Sequence, residues 1–376
     1  MRPKFVGALV VLLVFAALFG LFPGVSSANH TVTYQLMDRV GGSAHYRLNV
    51  AVSESLHQYY VEKEHRLITE NDFPKFVTPY ALKPISDCLR QFYDDDEAFV
   101  NGVLMIVHQI TYEVTNPAKY PLETIVAGKG DCDLVSYVAA SIIKAGGLDV
   151  VLFYYEGASH MNVGVNFSHD PVEARSGVEY VEYGGKKFYM AECTGMSDWR
   201  VGECPPDLEQ ASPQVITLGD CEHSAPGQVT ASTNSLRPSL LSLSVSTSYL
   251  LQGSTVTLTG QLSPVMPNVV NVTIYIKANG LPWSELTTTE TDSNGQFKYV
   301  WDASTAGICS IRASWSGDET YTTADSTVHT VTVLSLFFVS LLSITIVLVC
   351  VGITVFMMSR RASRVFSEPE PPEVPL

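Results

Sequence analysis

The sequence has no pair of cysteines spaced as C-x-x-C and no comparable grouping of cysteine and histidine, which argues against a structural zinc module. It is also poor in basic residues: 23 Lys and Arg stand against 38 Asp and Glu, giving a formal net charge of −15. A surface of that sign repels phosphate backbones and anionic headgroups, so nucleic acid is not expected as a partner. No internal repeat is visible, so we expect one copy of each module.

Some of the hydrophobic content belongs to targeting rather than to a core. Residues 5–22 form an unbroken apolar run behind Arg2 and Lys4, and small residues follow at 26–28. This pattern is typical of a secretory signal peptide, which we place at residues 1–28. The run is also long enough for an uncleaved anchor, and that alternative stays open.

A second apolar run, residues 334–358, contains no charged residue and predicts a transmembrane helix. Arg360, Arg361 and Arg364 follow it at once, and this bias places the C-terminus in the cytoplasm. We therefore expect a single-pass protein of the cell membrane, with residues 29–333 outside the cell.

Between these runs the chain divides into two modules. A stretch rich in Ser, Thr, Pro and Gly has no apolar period and is typical of a linker. The predicted segments are a first module at 29–221, a linker at 222–239, a second module at 240–333, the transmembrane helix at 334–358 and a cytoplasmic tail at 359–376.

Cysteines outside the cell meet an oxidising environment. Cys193, Cys204 and Cys221 are close enough in sequence to form one disulfide. The pairs Cys193 with Cys204 and Cys204 with Cys221 are both compatible with the spacing.

The second module consists of short alternating segments separated by turn signals, which predicts about seven β-strands in an immunoglobulin-like sandwich. The motifs "TDSNGQFKYVW" and "IRASWSGDETYTTADS" resemble Ig-like repeats of prokaryotic cell-surface proteins. Cys309 has no partner cysteine in the module and is expected to pack as a small apolar residue, and Trp301 and Trp315 are expected in the core.

The first module mixes helices and strands. Residues 97–110 place apolar side chains on one helical face behind Asp94, Asp95 and Asp96. We interpret these acids as a capped helix start, with a calcium site as the alternative.

A buried helix is predicted after Gly130-Asp131, because these residues are a helix-start signal and apolar residues cover most of the helix that follows. Cys132 is expected at its N-cap or in its first turn. Gly146-Gly147 ends the helix. A cysteine in the first turn of a helix lies among exposed backbone N–H groups at the positive dipole end, which stabilise a thiolate.

Two further polar residues lie on the strands predicted after this helix. His160 begins one strand and Glu192 ends another, so a sheet could bring both to the tip of the helix. An imidazole takes the proton of a cysteine, and a carboxylate on the far ring nitrogen orients the imidazole. We therefore predict a triad of Cys132, His160 and Glu192, with the backbone N–H of Cys132 as a donor to an oxyanion; His169 and Cys193 are the nearest rivals.

The motifs "YPLETIVAGKGDCDLVSYVAASIIKAGG", "DVVLFYYEGASHMNVGV" and "KKFYMAECTG", in this order, resemble the transglutaminase-like superfamily over residues 85–205. The resemblance implies an α+β papain-like fold, Cys132 as nucleophile, His160 as base and Glu192 in the place of the orienting acid. The chain departs from relatives at Leu134, where a second acid often follows the cysteine, and at Cys193, where Thr or Pro is common.

The predicted function is a cysteine-dependent acyl transfer on amide bonds of extracellular proteins or peptides, as a peptidase or amidase or as a transglutaminase, through a thioester. No cofactor and no metal are predicted. Cell-wall or surface-layer components are candidate partners of the second module. The alternative is a non-catalytic surface binding or adhesion protein that uses the first module as a scaffold.

Overall fold

The computed structural model describes residues 29–38, 45–195, 199–234 and 237–365. The predicted signal segment at 1–28 and the tail from residue 366 onward lie outside these ranges. The elements of the first module are β1 (His30–Met37), β2 (His45–Val52), α1 (Glu54–Val61), a 3-10 helix (Glu70–Phe76), α2 (Pro79–Leu89), α3 (Asp96–Val107), β3 (Thr111–Tyr112), α4 (Pro121–Ala127), β4 (Lys129–Gly130), α5 (Cys132–Ala145), β5 (Val150–Tyr155), a 3-10 helix (Glu156–Ala158), β6 (His160–Val165), β7 (Tyr180–Tyr183), β8 (Lys186–Ala191), β9 (Gln214–Thr217) and β10 (Thr230–Ser232).

Helix α5 forms the centre of the first module. It packs against α2, α3 and α4 and against strands β5 and β6. Eleven of its fourteen residues are buried, as expected for a helix that is apolar around most of its circumference. The predicted helix behind Gly130-Asp131 is therefore present and central.

A five-stranded antiparallel sheet lies beside α5 in the order β7-β8-β6-β5-β9. One face contributes Leu152 and Val163 to the core shared with α5. The other face contributes Phe153 and Met190 to a smaller apolar cluster. Because both faces of β5 are covered, its residues are apolar without alternation.

The acidic turn before α3 is a helix cap. Asp95 is the N-cap residue, and its carboxylate accepts a hydrogen bond from the backbone N–H of Ala98 at 2.8 Å. Asp96 pairs with Arg90 at 3.0 Å. This agrees with the interpretation of a capped start, since a carboxylate is favourable at the positive end of a helix.

The segment at 222–239 is not a loose linker, which corrects the interpretation from composition. Its residues 230–232 form β10, which adds to β2 in a three-stranded sheet of order β1-β2-β10. Earlier in the segment, Glu222 pairs with Lys63, and the backbone N–H of Val229 donates to the carbonyl of Ala81 at 3.0 Å. A polar segment without apolar period can still be ordered when an open strand edge takes up its backbone groups.

The second module contains the predicted strands. They are β11 (Leu240–Val245), β12 (Tyr249–Leu251), β13 (Thr255–Ser263), β14 (Asn271–Ala278), β15 (Ser284–Glu290), β16 (Gln296–Asp302), β17 (Gly307–Trp315), β18 (Ala324–Asp325) and β19 (His329–Leu334). One sheet has the order β11-β13-β16, and the other has β12-β19-β17-β14-β15 with β18 paired to β17. Trp301, Trp315 and Cys309 are buried in the core of this module, as predicted.

Direct contacts join the two modules through α1. The backbone N–H and the hydroxyl of Ser55 donate to the carboxylate of Asp325 at 3.1 and 2.6 Å. Glu62 accepts from the ammonium of Lys277 at 2.5 Å and from the backbone N–H of Trp283 at 2.7 Å. The first helix of one module is therefore held by polar bonds to the sheet of the other.

The predicted fold class, a papain-like domain, an Ig-like sandwich and a transmembrane helix in series, is wrong. The described chain is a mixed α/β structure with strands in several sheets. Within the described ranges, none of the helices combines the length and the hydropathy that crossing a membrane requires. The apolar run at 334–358 is divided between two elements, because Leu334 ends β19, paired with Leu251, and the last helix, α6 (Leu336–Val365), begins after it.

The expected disulfide is also corrected. All seven cysteines lie in the described ranges, and each is a free thiol. Cys193 and Cys221 belong to the core around α5, whereas Cys204 belongs to the apolar cluster on the other face of the sheet. A short separation in sequence did not predict proximity because the sheet lies between Cys204 and the other two.

Candidate functional site

Cys132 is the first residue of α5, directly after the N-cap residue Asp131. Asp131 has extended backbone angles and its side chain does not cap the helix, so the first backbone N–H groups have no partner from that side chain. Cys132 is 9% exposed, and its Sγ lies 3.8 Å from the carbonyl oxygen of Ser159. The sulfur therefore lies at the helix tip, next to the residue that precedes His160.

The structure brings the three predicted site residues together. His160 begins β6 and Glu192 directly follows β8, and β6 and β8 are neighbouring antiparallel strands. Nε2 of His160 lies 3.0 Å from Oε2 of Glu192. The other ring nitrogen, Nδ1, is then the one that remains for the thiol of Cys132.

The charge state of His160 follows from these neighbours. Burial alone would lower its pKa, but hydrogen bonds to Cys132 and Glu192 and the charges of both partners raise the pKa to about 10. At neutral pH the imidazole is therefore held as imidazolium, between the carboxylate of Glu192 and the sulfur of Cys132. The His160 side chain is 20% exposed, so the cation keeps contact with solvent.

Glu192 is almost completely buried and is held by more donors than the sequence indicated. Asn162 Nδ2 donates to Oε2 at 3.1 Å, and the backbone N–H of Thr194 donates to Oε1 at 2.8 Å. The hydroxyl of Thr194 donates to the same Oε1. Burial would raise the pKa of Glu192, but the bonds from His160, Thr194 and Asn162 lower it. The acid therefore stays ionised and has one fixed orientation.

Asn162, Thr194 and His108 contact the site but were not predicted from the sequence. Asn162 lies two residues after His160 and so points to the same face of β6, a spacing that could have indicated it. His108, at the end of α3, places its Nε2 2.9 Å from the carbonyl oxygen of Glu192. No sequence pattern links His108 to Glu192, since they are 84 residues apart.

Two acids flank the cysteine, and their side chains are hydrogen-bonded to each other. The pKa of Asp133 is raised to about 7, mainly by burial and also by a hydrogen bond to Asp131 and the charge of Asp131. Asp131 Oδ2 accepts from the backbone N–H of Thr115 at 2.7 Å, whereas its Oδ1 is buried without a donor from the other described residues. A protonated Asp133 supplies that missing donor. The negative charge beside Cys132 therefore changes near neutral pH.

Local contacts maintain the distance between the N-terminus of α5 and strand β6. Ser136 Oγ, one turn into α5, donates to the carbonyl of Met161 on β6 at 3.1 Å. On the other side, β3 pairs with β4, so residues 111–112 hold the backbone that leads into the cysteine. A Cβ on Gly130 would come within 2.9 Å of the Cβ of Leu134, so this approach requires glycine.

The two rivals are poorly placed. His169 is exposed in the turn after β6, at the end opposite His160, and its Nδ1 lies 3.0 Å from the carbonyl of Asp170. Cys193 is 1% exposed, and burial raises its pKa well above the usual range of a thiol. Neither residue has the contacts that join Cys132, His160 and Glu192.

A small cavity of about 10 Å³, enough for about one water molecule, lies beside this site. It is lined by Tyr112 and Gly130 on one side and by His108, Thr194 and Gly195 on the other, and Cys132 is not among its lining residues. Among the described residues, the one group of three side chains able to hold a metal ion is His30, Glu54 and His57, on β1 and α1.

No family model matches the chain, and no curated protein matches it in a sequence search.

Proposed function

We propose that the protein is a cysteine-dependent acyl-transfer enzyme that acts on amide bonds of proteins or peptides. The observation that carries the proposal is the ordered contact of Cys132, His160 and Glu192, with the sulfur at a helix N-terminus and Nε2 of His160 3.0 Å from a buried carboxylate. The resemblance of the three motifs to the transglutaminase-like superfamily supports the same assignment.

The proposed reaction begins from a thiolate and an imidazolium. The Sγ of Cys132 attacks the amide carbon, and the backbone N–H of Cys132 helps to stabilise the oxyanion. His160 then protonates the leaving nitrogen, and the C–N bond breaks to leave a thioester. A second nucleophile, deprotonated by His160, attacks the thioester carbon and releases the thiolate. Glu192 stays ionised throughout and holds the ring in position.

The second nucleophile is water in a peptidase or amidase and an amine in a transglutaminase. The same three side chains serve both reactions, and the difference depends on which acceptor reaches the thioester. We favour hydrolysis. The location of residues 29–333 outside the cell and a binding role of the second module towards cell-wall or surface-layer components stay predictions.

The second candidate is a non-catalytic surface binding protein. It is favoured by the 9% exposure of Cys132 and by the small size of the neighbouring cavity, about 10 Å³, which Cys132 does not line. Both candidates share the fold, so only the reactivity of the sulfur separates them.

Alkylation with iodoacetamide across pH tests the proposal. Burial raises the pKa of Cys88 and Cys204 to about 11 and also raises that of Cys193, Cys221 and Cys309, so these thiols react slowly near pH 7. Peptide mapping separates the labelling of Cys132 from that of the exposed Cys350, which serves as the internal reference. Among the six buried thiols we expect labelling of Cys132 alone at neutral pH, slowed at least tenfold in His160→Ala and unchanged in the control His169→Ala.

Activity is measured on glutamine-containing peptides with and without a primary amine, using mass spectrometry to separate amide hydrolysis, peptide cleavage and amine incorporation. Cys132→Ala should abolish all three, and His160→Ala should reduce the rate by roughly 10²- to 10⁴-fold. Alkylation of Cys132 as slow as that of the other buried thiols, with no turnover, would reject the enzyme and favour the binding protein.

A further inference from the structure

A group of two histidines and one glutamate lies at the start of the first module, and the sequence does not reveal it. His30 begins β1, and Glu54 and His57 lie on α1. The β1–β2 hairpin pairs His30 with Val52, two residues before Glu54. Glu54 and His57 are three residues apart on a helix and share one face. The hairpin and the helix start therefore bring the three side chains together.

The potential ligand atoms are close to one another. His30 Nε2 lies 2.7 Å from Glu54 Oε2, and the rings of His30 and His57 meet edge to face with centroids 4.8 Å apart. One ligand atom from each of the three residues fits within 4.8 Å of the other two. Tetrahedral zinc with bonds of about 2.0–2.1 Å needs its ligands about 3.3 Å apart. Nε2 of His30 and Oε2 of Glu54, now 2.7 Å apart, must therefore separate by about 0.6 Å. The ring nitrogen of His57, which lies within 4.8 Å of both, must approach them by up to about 1.5 Å.

The glutamate is already oriented by its neighbours. Gln58 Nε2 donates to Glu54 Oε1 at 2.5 Å, and Gln58 Oε1 accepts from Arg312 Nη1 at 3.1 Å. Arg312 is 2% exposed, and its guanidinium carbon lies 4.2 Å from the centre of the Trp283 ring. A chain of bonds from the second module thus directs Oε2 of Glu54 towards His30. Such support from outside the ligand set raises the affinity of metal sites.

We propose that His30, Glu54 and His57 bind a divalent transition-metal ion of the zinc type. The ligands are Nε2 of His30, Oε2 of Glu54 and one ring nitrogen of His57, with the proton between His30 and Glu54 replaced by the ion. Two imidazoles favour zinc over the hard ions calcium and magnesium, which prefer oxygen. Two imidazoles and one carboxylate leave a fourth position for water.

The proposed metal site lies beside the contact between the two modules. The helix that carries Glu54 and His57 also carries Ser55, and Glu62 directly follows its end; Ser55 and Glu62 both bond to the second module. An ion that ties α1 to β1 therefore stabilises the part of the first module that receives the second. Binding to the folded state alone raises its stability with ion concentration.

The test uses the full chain with Cys132→Ala, so that zinc cannot bind the thiol of the candidate active site. After treatment with a chelator and its removal, Zn²⁺ is titrated by calorimetry, and Co²⁺ is added to follow the visible absorption of a bound ion. We expect one site per chain. His57→Gln and Glu54→Gln should each weaken binding at least tenfold, and Gln58→Ala should weaken it by a smaller factor. The exposed His223→Gln is the matched control and should leave the affinity unchanged.

A second measurement needs no variant in the site. Diethylpyrocarbonate modifies accessible histidines, and peptide mapping locates the products. We expect stoichiometric Zn²⁺ to protect His30 and His57 while His169 and His223 keep their reactivity. No bound Zn²⁺, or an affinity equal in His57→Gln and in the control, would overturn the proposal, as would protection elsewhere without protection of His30 and His57.

Discussion

The substitution Glu192→Gln tests how the site holds the charge of His160. The pKa of His160 is raised from 6.5 to about 10, a difference that corresponds to about 5 kcal/mol in favour of the imidazolium. Cys132 and Glu192 both contribute to it, and burial of the ring opposes both. Removing the charge of Glu192 should therefore lower the pKa of His160 by at least one unit, or about 1.4 kcal/mol.

The geometry predicts more than a loss of charge. All four groups around the Glu192 carboxylate are donors: His160 and Asn162 to Oε2, and the amide and hydroxyl of Thr194 to Oε1. A glutamine offers one acceptor and one NH₂ group. The backbone N–H of Thr194 cannot turn away, so the glutamine oxygen faces Thr194 and its NH₂ faces His160. The neutral imidazole must then accept at Nε2 and carry its proton at Nδ1, where Cys132 requires a base.

The assay is a pH titration of His160 by NMR, with its resonance assigned through His160→Ala, together with the rate of Cys132 alkylation at pH 7. We expect the lower pKa and a fall in peptide turnover of roughly 10²- to 10⁴-fold. Glu182 is an exposed acid on β7 of the same sheet, and Glu182→Gln should change neither the pKa of His160 nor the peptide turnover. A pKa that stays near 10 in Glu192→Gln would refute the assignment of the orienting acid.

Two further predictions concern stability. The pKa of Asp133 is about 7 in the folded chain against an ordinary 3.8, so the folded chain binds an extra proton between these pH values and loses stability as pH rises through this window. Asp133→Asn should remove this loss and be more stable than the parent at pH 8 by about 1–2 kcal/mol, whereas the exposed Asp149→Asn should not. The same change of the urea midpoint between pH 4 and pH 8 in the parent and in Asp133→Asn would contradict the raised pKa of Asp133. A Cβ on Gly164 would lie 2.3 Å from the ring of buried Phe153, so Gly164→Ala should lower the free energy of unfolding by about 1–3 kcal/mol. Gly157→Ala, with open space around the added Cβ, should leave the stability nearly unchanged. Equal thermal midpoints in the two variants would show that the ring of Phe153 can move aside.

Much of the candidate site could be predicted because its parts are local. Gly130-Asp131 before a long apolar run marks the start of a buried helix, and this places Cys132 at its tip. His160 and Glu192 lie at strand ends, where side chains from different strands can meet. Each of these signals depends on neighbouring residues alone, so one sequence was enough to read them.

The errors arose where distant parts of the chain meet. The segment at 222–239 has the composition of a linker, but β10 pairs with the edge of β2, about 180 residues earlier. The expected disulfide failed because Cys204 lies on the opposite face of the sheet from Cys193 and Cys221. The apolar run at 334–358 was treated as one element, whereas Leu334 belongs to β19.

The sequence alone determined the buried helix α5, the strands of the second module and the three residues proposed for acyl transfer, because hydrophobic period and turn residues act over a few positions. The tertiary structure decided which groups hold Glu192, that the side chain of Asp133 meets that of Asp131, and that His30 meets Glu54 and His57. These contacts join residues on different elements or depend on burial, and burial and proximity arise only when the elements pack.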